Sequence, residues 1–252
     1  MKIARIERNG SAVWGVVEGD KIRVLSNAPF EGFNYTGEEV PVKGARLLAP
    51  TAPSKAVCVG LNYRYHAAEM KEELPKQPLL FLKPPTAVIS PGDDIVYPPA
   101  SKRVDYESEL AVVIGKKCKN VSPDQAEEYV FGCTCANDVT ARDIQKSDGQ
   151  WTRGKGFDTF LPLGPFIVTG LDSGNLKIEG RLNGEIKQSS STAQMIFSVP
   201  QLVSFVSGVM TLLPGDVILT GTPAGVGPMK PGDEIEVAIE GIGALKNRLA
   251  LP

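Results

Sequence analysis

Apolar positions along the chain fall in short runs with the period of β-strands. Met1–Ile6 alternates polar and apolar, and Ala12–Val17 and Lys21–Leu25 follow with the turn Glu18-Gly19-Asp20 between them. Ala56–Gly60, Leu79–Lys83, Ser101–Gly115 and Val130–Ala136 are further strand-like runs, the second stopped by Pro84-Pro85. Lys177–Gln188 predicts a hairpin, because Asn183-Gly184 suits a type I′ turn. Pro-Gly-Asp occurs at Pro91, Pro214 and Pro231, each time ahead of an apolar run. Proline fixes φ and glycine supplies φ > 0, so the tripeptide predicts a turn into a strand.

Helical spacing is scarcer. It marks Asn62–Lys76, a stretch after the helix-start signal Ser122-Pro123-Asp124, and a helix beginning at Ser198 with Leu202, Phe205, Val206 and Val209 on one face. The pattern predicts a β-rich α+β fold. Pro50–Ser54 is a short boundary between a small N-terminal β unit, residues 1–48, and a larger part, residues 49–252.

Composition narrows the function classes. The 252 residues carry a formal net charge of −2, which argues against a non-specific nucleic-acid partner. No apolar run approaches the roughly 20 residues of a membrane span. The N-terminus lacks the apolar stretch of a signal peptide, so a cytoplasmic location is expected. Four cysteines are too few for a disulfide scaffold. Cys133 and Cys135, at strand spacing and with no second pair to complete a zinc site, read as core thiols.

The chemistry concentrates in Asp105–Ile114. In a strand, Tyr106, Ser108, Leu110, Val112 and Ile114 share one face; Glu107 and Glu109 share the other, which continues as Ala111 and Val113. Two carboxylates about 7 Å apart on a face that turns apolar repel each other and are poorly solvated. A hard divalent cation would relieve both problems. Glu-x-Glu alone is common and reads first as a solvated edge-strand face. A third carboxylate, Asp138, follows an apolar strand and can project into a cleft. Three carboxylates with open positions describe a Mg²⁺ or Mn²⁺ site with room for substrate. Removing any one should relieve repulsion when no metal is bound.

His66, the single histidine, stands three residues before Glu69. On a helix that carboxylate can orient the imidazole as a general base, although such pairs are also common on surfaces. Lys155, flanked by glycines, reads as a cation facing an anionic substrate or as part of a surface loop. Leu219–Gly227 is glycine-rich but lacks Walker or dinucleotide spacing. Its N–H groups and the Thr222 hydroxyl could meet a carboxylate.

Taken in order, several segments resemble the fumarylacetoacetate hydrolase family. They are Gly60-Leu61-Asn62-Tyr63 with His66 and Glu69, Phe81-Leu82-Lys83-Pro84, Glu107-Ser108-Glu109-Leu110, Asn137–Asp143, Lys155 with Phe157-Asp158, and Leu219–Pro223. The resemblance implies mixed β-sheets rolled around the active site and a homodimer. It implies Mg²⁺ or Mn²⁺ on Glu107, Glu109 and Asp138, a catalytic dyad of His66 and Glu69, and a site lined by Lys155, Gln145, Arg142, Lys83 and Thr222. The implied substrate is a small 2-oxo or 2,4-dioxo acid, which can chelate the metal through its C1 carboxylate and C2 oxygen. The metal then stabilises the enolate formed when a bond to C3 breaks. C–C hydrolysis and decarboxylation are the expected outcomes. The alternative is isomerisation or tautomerisation of 2-hydroxy-dienoic acids from aromatic catabolism.

Overall fold

The computed structural model describes residues 1–70 and 73–252. The chain opens with an antiparallel meander of β1 (Lys2–Arg8), β2 (Ser11–Glu18), β3 (Lys21–Leu25) and β4 (Tyr35–Pro41). Then come β5 (Ala56–Gly60), helix α1 (Arg64–Met70), β6 (Leu79–Lys83), β7 (Val88–Ile89), β8 (Asp94–Val96), β9 (Val104–Tyr106) and β10 (Ser108–Ile114). The middle of the chain forms β11 (Val130–Asn137), β12 (Thr140–Ala141), α2 (Arg142–Asp148), α3 (Thr152–Lys155), β13 (Leu161–Val168), β14 (Lys177–Leu182) and β15 (Glu185–Ser191). The last elements are α4 (Val199–Val209), β16 (Val217–Leu219), β17 (Gly227–Met229), β18 (Glu234–Ile239) and β19 (Gly243–Ala250).

Eleven strands join one open mixed sheet in the order β4-β3-β2-β1-β13-β11-β10-β16-β5-β6, with β7 beside β13. The meander is continuous with it, because Lys2 and Ile3 pair with Val168 and Ile167. A five-stranded sheet, β15-β14-β18-β19-β8, and a three-stranded one, β12-β9-β17, complete the β structure. None is a closed barrel.

The alternation of β10 sorts the core. Leu110, Val112 and Ile114 enter a cluster with Leu202, Val203 and Val206 of α4 and with Val237 and Ile239 of β18. Ala111 and Val113 enter a second cluster with Cys58, Ala136, Leu163 and Leu219 on the opposite face of the sheet. Full burial on both faces explains why the central strands are nearly uninterrupted apolar runs. Cys133 and Cys135 are buried and unpaired, as core thiols.

The turn chemistry is as read. Asn183 and Gly184 have φ of 52° and 82° and join β14 to β15. In all three Pro-Gly-Asp turns the glycine has positive φ (83°, 87° and 96°). The aspartate carboxylate accepts a backbone N–H from the residue before the proline, at 2.9 Å from Ser90, 2.8 Å from Leu213 and 2.7 Å from Lys230. Asp216 is fully buried and also binds Ser54 and Lys55, pinning the start of β5.

Four expectations change. Ser101–Gly115 is two strands, broken at Glu107: its N–H goes to the Asn137 side-chain oxygen at 2.9 Å instead of to a backbone carbonyl. The stretch after Ser122 is a 3₁₀ helix, Pro123–Tyr129. On α4 the buried residues are Val199, Leu202, Val203, Val206 and Ser207, while Val209, the last residue of the helix, is exposed. The helical reading of Asn62–Lys76 contracts to Arg64–Met70; Lys71 and Glu72 lie outside the described residues. No described helix is long and apolar enough to cross a membrane.

Candidate active site

Strand direction brings the carboxylates together. β10 begins where its antiparallel neighbours β11 and β16 end. Glu109 pairs with Ala136, two residues before Asp138, and Ala111 pairs with Leu219, two before Gly221. The break at Glu107 completes the group: its carbonyl accepts the Asp138 N–H at 2.9 Å. One carboxylate oxygen from each of Glu107, Glu109 and Asp138 lies within 4.8 Å of the others, and all three residues are buried. The interrupted strand and the crossing chain thus close a gap that the alternation of one straight strand would leave at about 7 Å.

Cations partner two of the three. The Lys155 ammonium donates to Glu107 at 2.8 Å and to Asp138 at 2.7 Å. Lys83 donates to Asp138 at 2.6 Å and to the Val139 carbonyl at 2.9 Å. Arg142 binds Glu107 and, at 2.9 Å, Asp105, which Arg103 also grips. Burial would raise the Glu107 pKa, but Lys155 and Arg142 outweigh it and lower it to about 2. Burial would likewise lower that of Lys155, but Asp138 and Glu107 hold it above the usual lysine value.

Glu109 is different. Among the described residues its one hydrogen bond is from the Gly221 N–H, at 2.7 Å. Burial first, then the charges of Asp138 and Glu107, hold its pKa well above the carboxylate range. A buried carboxyl lacking a countercharge, with two more carboxylates in reach, fits a divalent cation with hard oxygen ligands. Glu107, Glu109 and Asp138 would hold it.

A cavity of about 470 Å³ opens above this cluster. Its polar wall includes His66, Arg142, Gln145, Lys155 and Thr222 together with the three carboxylates. Leu61, Leu79, Phe81 and Trp151 form an apolar side, with Phe81 and Trp151 edge to face at 5.2 Å. Gly154 lets α2 and α3 touch: a Cβ there would lie 2.8 Å from the Gln145 backbone. That close approach presents Arg142, Gln145 and Lys155 to one space.

His66 and Glu69 pair on α1, with Nδ1 to Oε2 at 3.1 Å. The Glu69 carboxylate also accepts the Gly225 N–H, at 3.2 and 3.3 Å to its two oxygens. The glycine-rich loop after β16 therefore meets carboxylates of the protein itself, Glu109 through Gly221 and Glu69 through Gly225. Nothing in the spacing of those glycines shows this, since both partners are distant in the chain, Glu109 on β10 and Glu69 on α1.

Two expected lining residues stand differently. Lys83 is buried behind Asp138 and is not on the cavity wall, so it holds a carboxylate in place. Thr222 does line the cavity, but its hydroxyl donates to the Ser108 carbonyl at 3.0 Å and accepts from Gln188 at 2.8 Å. Lys155 is no part of a surface loop: it ends α3 and is 2% exposed.

Residues 55–250 match the family model described as fumarylacetoacetate (FAA) hydrolase C-terminal. The chain belongs to the fumarylacetoacetate hydrolase family. Residues 1–50 match a second model, Rv2993c-like, N-terminal. The chain is 48% identical to mitochondrial oxaloacetate tautomerase Fahd2a of Rattus norvegicus, over 83% of this chain and 71% of that one. The crystal structure of 5-carboxymethyl-2-hydroxymuconate delta-isomerase from Mycobacterium smegmatis superposes with a TM-score of 0.94 at 44% identity, covering 100% of both chains. Maleylpyruvate hydrolase from Sphingobium sp. SYK-6, solved with manganese(II) ion and pyruvate, gives a TM-score of 0.83 at 30% identity, covering 100% of this chain and 99% of that one. Relatives of this family thus include isomerases, hydrolases and a tautomerase.

Proposed function

We propose that this protein is a divalent-metal-dependent enzyme acting on small 2-oxo and 2,4-dioxo acids, by C–C hydrolysis or decarboxylation through an enolate. The observation that carries the reading is the cavity in which His66, with its Glu69 partner, faces three clustered carboxylates. A divalent cation there would supply positive charge beside the C1 carboxylate and the 2-oxo oxygen, lowering the cost of an enolate. The name of the Sphingobium hydrolase, solved with manganese and pyruvate, supports this chemistry.

The chain's own residues account for the rest. Lys155 has three N–H donors and spends two on Glu107 and Asp138, leaving one for a substrate anion. Arg142 occupies the Gln145 side-chain oxygen at 2.6 Å, so Gln145 offers its NH₂ to the cavity. A carboxylate only accepts, so the Glu69 contact places the proton of neutral His66 on Nδ1 and leaves the Nε2 lone pair free. Nε2 can take a proton from a water whose oxygen adds to the C4 carbonyl of a 2,4-dioxo acid. The C3–C4 bond then breaks, its electron pair passes into the enolate, and protonation at C3 yields a 2-oxo acid and a carboxylic acid. In decarboxylation a C4 carboxylate leaves as CO₂ and no water is needed.

A second reading, isomerase or tautomerase of 2-hydroxy-dienoic or oxo acids, is favoured by the names of the rat and M. smegmatis relatives. It uses the same enolate with a proton moved to or from carbon and no C–C bond broken. The test is a panel of acylpyruvates, oxaloacetate and 2-hydroxy-dienoates with Mg²⁺ or Mn²⁺, read by product identification. Turnover lost on exhaustive chelation and restored by metal is the expected result. Full activity after chelation would overturn the proposal. We also propose a cytoplasmic homodimer; light scattering near the 27.0 kDa monomer mass at micromolar concentration would contradict the dimer.

A further inference from the structure

Tyr106 ends β9 one residue before Glu107, yet it takes no part in the carboxylate cluster. Its ring is 3% exposed, and its hydroxyl donates to the Gly225 carbonyl at 3.0 Å. Gly225 is the residue whose N–H donates to the Glu69 carboxylate. It is confined on a third side as well: with φ of +97°, a Cβ would stand 2.1 Å from the Lys187 carbonyl oxygen of β15. Gly227 lies against the same phenol, where a Cβ would come within 2.9 Å of the hydroxyl.

The helix that carries the dyad needs such an anchor. α1 has only seven residues, and Glu69 is 42% exposed at its side chain. An isolated helix of that length has little stability of its own. We propose that Tyr106 is a positioning residue for the dyad: its phenol fixes Gly225 so that the Gly225 N–H donates to Glu69 and holds His66 over the three carboxylates. The strand that leads into Glu107 thereby sets the place of the base relative to the metal ligands. This rests on the reading of His66 and Glu69 as the hydrolytic dyad.

The test uses the full chain with Mg²⁺ saturating and compares wild type, Tyr106→Phe, Glu69→Gln, His66→Ala and the double variant Tyr106→Phe/Glu69→Gln. Tyr106→Phe should lower kcat for acylpyruvate hydrolysis about tenfold more than kcat for oxaloacetate decarboxylation, with KM nearly unchanged. The double variant should be no worse than Glu69→Gln alone, because coupled residues are not additive. Since His66 is the single histidine, ¹⁵N spectra of histidine-labelled protein report its tautomer without any substrate. Tyr106→Phe should lower the Nδ1–H population. Equal losses in both reactions, additive losses in the double variant, or an unchanged histidine spectrum would each overturn the proposal. His66→Ala separates the two failures. Hydrolysis unimpaired by it would overturn the dyad and the anchor together. Impaired hydrolysis with Tyr106→Phe indistinguishable from wild type would overturn the anchor alone.

Discussion

The floor of the cavity and the helix above it are held in opposite ways. Glu107, Glu109 and Asp138 stand at the ends of central strands and are at most 6% exposed, amid buried Lys83 and Lys155. His66 and Glu69 ride on a seven-residue helix whose Tyr65 is 65% exposed, with Glu69 held from outside by the Gly225 N–H at 3.2 and 3.3 Å. Charge at the floor is poorly screened and therefore coupled to folding, whereas the dyad can change at little cost to the fold. The electron sink and the base should accordingly be separable by mutation.

The floor itself is not uniform, which gives the largest expected effect. The sequence suggests that loss of any ligand carboxylate relieves repulsion, and the structure limits that to Glu109. Asp138 is the shared partner of two buried ammonium groups, so Asp138→Ala leaves Lys83 without a carboxylate and Lys155 with Glu107 alone. It should abolish turnover of every substrate and also cost on the order of 3–5 kcal/mol of stability in metal-free protein, measurable by urea unfolding. Unchanged stability would mean that Lys83 and Lys155 do not depend on it.

Glu109→Gln should also abolish turnover, yet leave metal-free stability unchanged or higher. It replaces a carboxyl that burial and two neighbouring charges already disfavour in its ionised form. Calorimetry of the metal-free variant checks this, and a clear loss of stability would contradict the distinction drawn between Glu109 and Asp138. Metal should stabilise the wild type and not this variant, by the linkage of binding to folding.

The smallest effect belongs to the helix. Glu69→Gln keeps a hydrogen-bonding side chain but removes the charge that orients His66. It should slow hydrolysis less than His66→Ala does and leave stability within about 0.5 kcal/mol, as for an exposed polar substitution. A larger stability loss would mean that α1 is part of the fold's foundation.

Local rules carried much of this architecture. The period of two in β10 placed Leu110, Val112 and Ile114 apart from Glu109, Ala111 and Val113, and the two core clusters separate in that way. Asn183-Gly184 and the three Pro-Gly-Asp turns adopt the conformations their residues demand. What the sequence hid is tertiary. The break at Glu107 depends on Asn137, thirty residues away, taking over its N–H. The position of Lys83 behind Asp138, and the roles of Gly221 and Gly225, arise from contacts across 55 to 156 residues of chain. Val209 fits the helical period, yet as the last residue of α4 it is exposed.

The central claim is a division of labour: the carboxylate floor serves every reaction through an enolate, and the dyad serves water attack. It is tested most directly by the ratio of kcat/KM for acylpyruvate hydrolysis to kcat/KM for oxaloacetate decarboxylation, in wild type and His66→Ala, with metal saturating. Loss of a general base typically costs about 10²–10⁴-fold. The account predicts that the ratio falls by about that much, with decarboxylation largely retained. An unchanged ratio would contradict it and move the assignment to proton transfer, as in the isomerase reading.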